Sequence, residues 1–328
     1  MNLIQNFKKN PSRDYSLGIA ATWAGAGSLI VGMAMVQNYG VIPFLLWALG
    51  NILACIVFGL LANRYEYLRK VFTSNGAKLV IGFMCIFQLW VNMSGVHDSL
   101  TVISPDFALI FTYIVAIVFL FLFLRFAMIK NVLTDSTGWK FVYILIFALG
   151  AFSIAFNGID VPSMGMTDEG LMQGVSKCIA LIPGAFFYPC FWALFDYNEK
   201  NEDSVDKVDM KMCFVKGGLL FGIYLAFVFI LGITSFTPEL EIVKGILLAL
   251  IALSSLTSFI YSIYISFGNK LGFAVNVFAL AGWYYLIPLG VMGAWTLMAD
   301  FRLVMVIIAI AIAIGWKMYD QRKAVMEE

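Results

Sequence analysis

The sequence predicts an all-α integral membrane protein with ten transmembrane helices. Of its 328 residues, 62% are hydrophobic and only 12% are charged, whereas a soluble domain carries roughly 25% charged residues. The apolar residues are also gathered into runs of about twenty, the length that a helix needs to cross the hydrocarbon core. These runs are too long and too uniformly apolar for the strands of a membrane barrel.

Ten segments qualify as spans or nearly so, and we expect them to form one transmembrane domain over residues 1–328. The predicted spans cover approximately residues 16–36, 41–62, 79–97, 107–127, 139–157, 172–195, 211–233, 245–268, 271–298 and 302–318. The ninth is long and contains Pro288 with four glycines, which allows a kink or a re-entrant break in that segment.

The basic residues predict the orientation of the spans, because lysine and arginine favour cytoplasmic loops. With the N-terminus inside, eighteen of the 21 basic residues fall in inside segments, while only Lys244 and Arg302 fall in outside ones. The last, Lys177, falls within a span. Both termini are therefore expected in the cytoplasm, with a bacterial-type inner membrane as the default location.

The ten spans divide into two sets of five, about residues 16–157 and 172–318, whose first helices run in opposite directions. Both first helices contain helix breakers near the middle, in Trp23-Ala24-Gly25-Ala26-Gly27-Ser28 and in Ile182-Pro183-Gly184. Glycine and proline in a membrane helix can mark packing or kinks alone. Interruptions at matched positions of two inverted halves are instead typical of a transport site in a secondary carrier.

Span eight contains the hydroxyl-rich run Ser254-Ser255-Leu256-Thr257-Ser258. Hydroxyl oxygens and unwound backbone carbonyls suit a small hard cation such as sodium. The same serines could instead bond back to their own helix or join neighbouring helices. The spacing alone leaves both interpretations open.

Two short motifs resemble the sodium/solute symporter family, whose members share the LeuT-like core. Tyr15-Ser16-Leu17-Gly18 followed by the run Trp23 to Ser28 resembles the first core helix of that family, and the run Ser254 to Ser262 resembles the eighth. The resemblance implies an abbreviated ten-helix member of the APC superfamily, with a 5+5 inverted repeat and helices one and six broken. It also implies a sodium site made by the carbonyls of Ala26, Leu29 and Ile251 and the hydroxyls of Ser254 and Ser255.

A central solute pocket is expected between spans one, three, six and eight. Gln88 and Asn92 lie four residues apart, on one face of span three, and Asn51 in span two is another buried amide. An interhelical hydrogen bond or ordinary packing explains any one of these side chains equally well. The residues predicted to contact the solute are Trp23, Ser28, Gln88, Asn92, Phe187 and Tyr188.

Few charges lie within the predicted spans. Lys177 is the only one well inside a span, where it is expected to snorkel to the outer interface or to pair with Asp98 or Asp160. No Asp or Glu lies within any span, although proton-coupled carriers commonly use such a group. Sodium coupling, or no coupling, and a small neutral or zwitterionic solute are therefore favoured.

Together these features predict sodium-coupled symport by alternating access. Two alternatives stay open, namely an uncoupled carrier on the same fold and a non-transporting membrane sensor or scaffold. An enzyme is not expected, because the sequence has no catalytic dyad, metal cluster or phosphate loop. The net charge of +1 argues against nucleic acid as a partner. The expected partners are the solute, sodium, the lipid bilayer and, if the protein is not a monomer, further copies of itself.

Overall fold

A computed structural model describes residues 11–62, 64, 66–126, 136–159, 162–200 and 208–327 of the chain. Within these ranges the chain is helical almost throughout and contains no β-strand, which confirms the predicted all-α class. One isolated antiparallel bridge joins Ile159 to Thr234.

The first half of the chain supplies helices that coincide with the first five predicted spans, plus one short helix that was not predicted. The two helices α1 and α2 together cover span one, and the short α4 lies between spans two and three. The helices are α1 (Pro11–Trp23), α2 (Ala26–Tyr39), α3 (Val41–Leu61), α4 (Glu66–Thr73), α5 (Asn75–Thr101), α6 (Pro105–Phe126) and α7 (Ser136–Asn157).

The second half begins with an interrupted helix, as the first half does. A 3-10 helix, Ile182–Phe187, separates α8 from α9, and a second one, Trp283–Leu289, separates α12 from α13. The α-helices are α8 (Asp168–Leu181), α9 (Pro189–Lys200), α10 (Met210–Gly232), α11 (Pro238–Phe267), α12 (Asn269–Gly282) and α13 (Gly290–Glu327).

The predicted boundary between spans nine and ten is wrong. Residues 299–301 were expected to separate them, but they lie inside α13, which runs unbroken from Gly290. The break lies earlier, because Pro288 has no amide hydrogen to donate and Gly290 adopts a φ of +60°, a conformation that favours glycine. Arg302, which was predicted to lie at the outer end of span ten, therefore lies in the interior of α13.

Several helices have the length and composition needed to cross a membrane. Among the described residues, five apolar helical stretches meet this requirement, or six if the bent pair α1 and α2 counts as one span. α6 contributes only the shorter apolar stretch Pro105–Val118, and many side chains of α7 and some of α11 lie outside the described part. The five stretches are Val41–Leu61, Asn75–Thr101, Asp168–Phe187, Met210–Gly232 and Lys270–Lys323.

Side-chain caps begin several of these helices. Ser74 Oγ accepts a hydrogen bond from the Ala77 amide at 3.2 Å before α5, and Thr167 Oγ1 accepts one from Gly170 at 3.1 Å before α8. Each cap satisfies a backbone amide that has no partner inside its helix. Ser74 and Thr167 therefore mark the N-terminal ends of α5 and α8.

Two helix pairs, α5 with α11 and α3 with α10, form the centre of the packing. Aromatic rings surround Phe58 of α3, with centroid distances of 4.8 Å to Phe214 and 5.6 Å to Phe191. Glycine permits the closest helix crossings: a Cβ on Gly50 of α3 would lie 2.7 Å from the Cys178 carbonyl oxygen of α8. A Cβ on Gly217 of α10 would lie 2.7 Å from the side chain of Ile19 in α1, so neither position accommodates a side chain without movement.

One set of contacts joins the connection between α7 and α8 to the ends of other helices. The Val41 amide donates to the Ser163 carbonyl at 3.0 Å, and the Ile42 amide donates to the Met164 carbonyl at 3.1 Å. The Ile159–Thr234 bridge adds the end of α10 to the same group.

A second set of contacts joins other helix ends. The Lys70 ammonium of α4 lies 3.6 Å from the Asp320 carboxylate of α13 and 5.3 Å from the centre of the Trp316 ring. The Cys213 thiol at the start of α10 lies 3.7 Å from the Ser12 carbonyl at the start of α1.

Candidate functional site, a polar cavity between two interrupted helices

The first interruption, called the first break, consists of Ala24 and Gly25. It bends the stretches on either side by 61°, and Gly25 has an extended backbone with φ of −117°. The Ser28 hydroxyl accepts a hydrogen bond from the Gly25 amide at 3.0 Å and lies 2.7 Å from the Gly25 carbonyl, to which it donates. The Gly25 carbonyl also accepts the Leu29 amide at 3.2 Å, so the group that Ser28 satisfies in place of a helical partner is the Gly25 amide.

The second interruption, called the second break, comprises the 3-10 helix Ile182–Phe187 and Tyr188, whose backbone is extended. The Tyr188 hydroxyl donates a hydrogen bond to the Thr22 carbonyl in the last turn of α1, at 3.2 Å. The Tyr188 ring also packs edge-on against the Trp23 ring, with 5.7 Å between centroids. The two breaks thus contact each other directly.

A cavity of about 60 Å³ lies where the two breaks meet. Its walls combine aromatic rings with amide, hydroxyl and guanidinium groups, from α1, α2, α3, α5, α8, α11, α13 and the second break. The lining residues are Trp23, Gly25, Gly27, Ser28, Asn51, Gln88, Val91, Asn92, Leu181, Tyr188, Phe259, Trp295, Met298 and Arg302.

Five of the six residues predicted to contact a solute line this cavity, namely Trp23, Ser28, Gln88, Asn92 and Tyr188. Phe187 does not. Consecutive residues of a 3-10 turn point in different directions, and the Phe187 ring packs edge-on against Phe72 of α4 at 5.2 Å. It lines a separate, mostly apolar cavity beside α4, α5 and α13.

The residues predicted to bind sodium belong to two helices, α2 and α11, that meet beside Gly25. Ala26 and Leu29 belong to the first turn and a quarter of α2, and a Cβ on Gly25 would lie 3.2 Å from Ser255 Oγ of α11. Ile251 lies one turn before Ser255 on α11, and its side chain is buried in the same apolar cluster as that of Leu29. The Ser254 side chain lies outside the described residues. The structure thus brings the start of α2 and this turn of α11 together.

Ser255 belongs to a compact group of oxygen atoms. Its hydroxyl contacts Asn92 Oδ1 and lies 2.9 Å from the Ala252 carbonyl. The Asn92 side-chain nitrogen donates to the Gln88 carbonyl at 2.7 Å, which directs Oδ1 toward Ser255. A hydroxyl has one hydrogen to donate, so it serves only one of its two acceptors. Asn92, predicted as a solute contact, therefore also adjoins the predicted sodium site.

Arg302 of α13 is a cavity residue that the sequence reasoning missed. Only 3% of its surface is exposed. Within the described part of the chain, its Nε atom is buried without a hydrogen-bond partner, and the one acceptor of Nη2 is Met298 Sδ, at 3.2 Å. The guanidinium lies against the second break, since a Cβ on Gly184 would lie 2.8 Å from Arg302 Nη1.

The signal for Arg302 is present in the sequence. The predicted boundary at residues 299–301 put Arg302 at the outer end of a span, whereas Pro288 and Gly290 mark the actual break. Moving the boundary back to these helix breakers places Arg302 inside a helix.

Lys177 of α8 also pairs differently from expectation. Its ammonium lies 3.9 Å from the Asp300 carboxylate and 5.3 Å from the centre of the Trp295 ring of α13. Of the two predicted partners, Asp98 instead contacts the His97 ring at 3.2 Å, and Asp160 lies outside the described residues. Lys177 therefore links α8 to α13 beside the cavity.

The arrangement is suited to binding a small polar molecule in a largely buried pocket. Within the described ranges, no group of three or more His, Cys, Asp or Glu side chains is placed to hold a metal ion. Neither the protein-family models nor the curated proteins compared with this chain match it.

Proposed function

We propose that this protein is a secondary active transporter that moves a small solute by alternating access, coupled to sodium. The observation that carries the proposal is the meeting of two interrupted helices at one buried polar cavity. Interrupted helices free backbone groups for ligands at mid-depth, where an intact helix offers none. The transported solute would occupy the cavity lined by Trp23, Gln88, Asn92 and Tyr188.

The packing of the helices supports a 5+5 repeat with ten spans. In this repeat, α1 and α2 correspond to α8 and α9, and the later spans α3, α5, α6 and α7 correspond to α10, α11, α12 and α13. With this correspondence, the contacts of one half recur in the other. α8 packs on α3 as α1 packs on α10, and α11 packs on α12 as α5 packs on α6. α8 contacts α13 as α1 contacts α7, and α9 contacts α11 as α2 contacts α5.

The contacts between helix ends support the alternating orientation of the spans. Val41 and Ser163, which hydrogen-bond to each other, both belong to segments predicted to face outside, as do the bridged residues Ile159 and Thr234. Lys70 and Asp320, which form an ion pair, both belong to segments predicted to face inside. In ten spans with the N-terminus inside, each of these pairs lies on one side of the membrane.

The oxygen group around Ser255 supports sodium as the coupling ion. Asn92 Oδ1, the Ser255 hydroxyl and the Ala252 carbonyl are close together beside the first break. Oxygen ligands at an interrupted helix are the typical environment of a transported sodium ion. Because Asn92 also lines the solute cavity, a bound ion would directly affect the solute pocket.

In the proposed cycle, sodium bound between α2 and α11 favours the outward-open state, and solute then binds beside it. Movement of the helices at the two breaks exposes both to the cytoplasm. One charge crossing 100 mV supplies about 2.3 kcal/mol, enough for a roughly fifty-fold concentration ratio of solute.

Replacing both Ser254 and Ser255 by alanine tests the sodium site. We expect the double variant to lose the sodium-dependent rise in thermal stability and sodium-driven uptake into proteoliposomes, because two hydroxyl oxygens are removed. Ser266→Ala is the matched control: its hydroxyl bonds to the Ser262 carbonyl of the same helix at 2.8 Å, and it does not line the cavity.

Unchanged sodium dependence in a folded double variant would eliminate this site. Solute counterflow without sodium would identify an uncoupled carrier instead. A protein that takes up no solute, with or without sodium, would be a sensor or scaffold, and the transport proposal would be wrong.

A further inference from the structure

We propose that the cavity recognises a carboxylate on its solute through Arg302, with Gln88 as a second hydrogen-bond donor. This inference rests on the proposed function, since it takes the cavity as the solute site, and it names the chemical class of the solute. The solute would be a small monocarboxylate or a zwitterion such as an α-amino acid.

The first argument is the cost of burying an isolated cation. A charge removed from water is stable only if it is paired and hydrogen-bonded. Arg302 is 3% exposed, yet no carboxylate among the described residues lies within ion-pair distance of it. The nearest acidic residue on its own helix, Asp300, pairs with Lys177 and has a side chain that is 71% exposed. The missing anion is therefore expected to come from a ligand.

The second argument is a second donor facing the same cavity. Gln88 is 4% exposed, and its Nε2 atom is buried without a hydrogen-bond partner. Gln88 on α5 and Arg302 on α13 both line the cavity. Two unsatisfied donors call for a ligand with two acceptor atoms, and a carboxylate offers two oxygens in the planar geometry that guanidinium prefers.

The third argument concerns the other groups at the breaks that could hold an anion. A helix N-terminus attracts anions through its free amides. At the first break, however, the Gly25 amide already donates to Ser28 at 3.0 Å. After the second break, α9 begins with Pro189, which has no amide hydrogen. Among the described residues that line the cavity, Arg302 carries the only formal positive charge.

The rest of the cavity limits the remainder of the solute. Trp23, Phe259, Trp295 and Met298 supply apolar surface, and the cavity volume of about 60 Å³ limits the solute to a compact molecule. One guanidinium matches one carboxylate, so a dicarboxylate would leave its second charge unpaired.

Matched pairs of molecules test the proposal. A panel of small monocarboxylates and α-amino acids, each beside its own carboxamide, would be added to the purified protein in nanodiscs at constant sodium. Binding would be followed by thermal unfolding and by the fluorescence of the tryptophans in the wall. We expect carboxylates from the panel to bind and their amides to fail, because an amide presents one acceptor and no charge.

Variants connect the result to Arg302. Arg302→Gln should weaken binding of those carboxylates by at least about thirty-fold, since it removes one partner of a buried charge pair. The affinity of Arg302→Lys should lie between those of the wild type and Arg302→Gln, because an ammonium lacks the planar fork. Gln88→Leu should weaken binding less than Arg302→Gln does. Lys317→Gln removes an exposed cation from the same helix and should leave binding unchanged. A retained sodium-dependent shift in melting temperature would verify that each variant is folded.

Three results would overturn the proposal: equal binding of carboxylates and amides, unchanged carboxylate affinity in folded Arg302→Gln, or no carboxylate of the panel binding to the wild type. Its failure is distinguishable from failure of the proposed function. Sodium-driven uptake that does not depend on Arg302 would defeat the carboxylate site alone. A carboxylate that binds through Arg302 but is never taken up would defeat transport alone.

Discussion

Tyr188 shows how one hydroxyl can connect two interrupted helices. α1 ends at Trp23, so the Thr22 carbonyl has no partner further along its helix. The Tyr188 hydroxyl donates to one of them, the Thr22 carbonyl, at 3.2 Å, and both groups are buried. The hydrogen bond therefore fixes the position of the second break relative to the end of α1.

Tyr188→Phe removes this hydrogen bond and leaves the ring in place. We expect the free energy of unfolding to fall by about 1–3 kcal/mol, because a buried carbonyl loses its donor. Thermal unfolding in detergent measures the change. Tyr285→Phe, at a residue that is 82% exposed, is the control and should have no effect. Equal stability of the two variants would mean that the hydrogen bond does not contribute.

Several residues that line the cavity could be predicted from the sequence, but Arg302 could not. Trp23 and Tyr188 were predictable because each is an aromatic residue beside an obvious helix breaker. Arg302 was not, because a single arginine near an aspartate resembles a loop until the register of the last helix is known. Phe187 illustrates the same limit, since its direction depends on a 3-10 turn that periodicity does not specify.

At the scale of elements, the connection between α7 and α8 requires a glycine at its point of closest approach to another helix. Gly165 has a φ of +69°, and a Cβ there would lie 1.9 Å from the Tyr39 carbonyl oxygen at the end of α2. The adjacent residues Ser163 and Met164 accept hydrogen bonds from the start of α3. This connection therefore approaches the α2–α3 junction more closely than any residue with a side chain would permit.

Gly165→Ala should destabilise the protein by at least about 1–3 kcal/mol, since it adds a collision to a backbone conformation that L-residues rarely adopt. The melting temperature in detergent would fall accordingly. Gly315→Ala is the matched control, because Gly315 lies in the interior of α13 with no atom close to a Cβ. That change should leave stability the same or slightly higher. A melting temperature for Gly165→Ala equal to that of the control would contradict this description of the connection.

Most elements could be predicted because long apolar runs leave little choice but a helix in lipid. The described helices accordingly lie over the predicted apolar runs, and five or six helical stretches have the length and composition of a membrane span. The predicted boundary near Arg302 was wrong. The short helix α4 was missed because its eight residues, Glu66–Thr73, include charged side chains and lack the length of a span. The order of helix pairing could not be predicted either, because it depends on close crossings such as that of Gly50 with Cys178.

At the scale of the whole molecule, the paired helix ends define two faces. The connection around Ser163 and Met164 contacts the α2–α3 junction, and the end of α13 contacts α4 through the Lys70–Asp320 ion pair. The distribution of basic residues predicts that the second face lies in the cytoplasm. This orientation has a direct experimental test.

Single cysteines in a cysteine-free background would report the two faces. Met166→Cys, at a residue that is 71% exposed on the first face, should react with a membrane-impermeant maleimide on intact cells. Gln321→Cys, at an exposed position near the end of α13, should react only after permeabilisation. The reversed pattern would invert the orientation, and labelling of both positions on intact cells would contradict an odd number of spans between them.

The last helix has a practical consequence for imaging. α13 contains 38 residues, so it is roughly 57 Å long, while the hydrocarbon core is about 30 Å thick. Its final turns therefore extend into water as a stiff rod. A soluble domain fused through an unbroken helix would follow the orientation of that rod. For a 36.5 kDa chain surrounded by detergent, such a fiducial would allow electron cryomicroscopy images to be aligned.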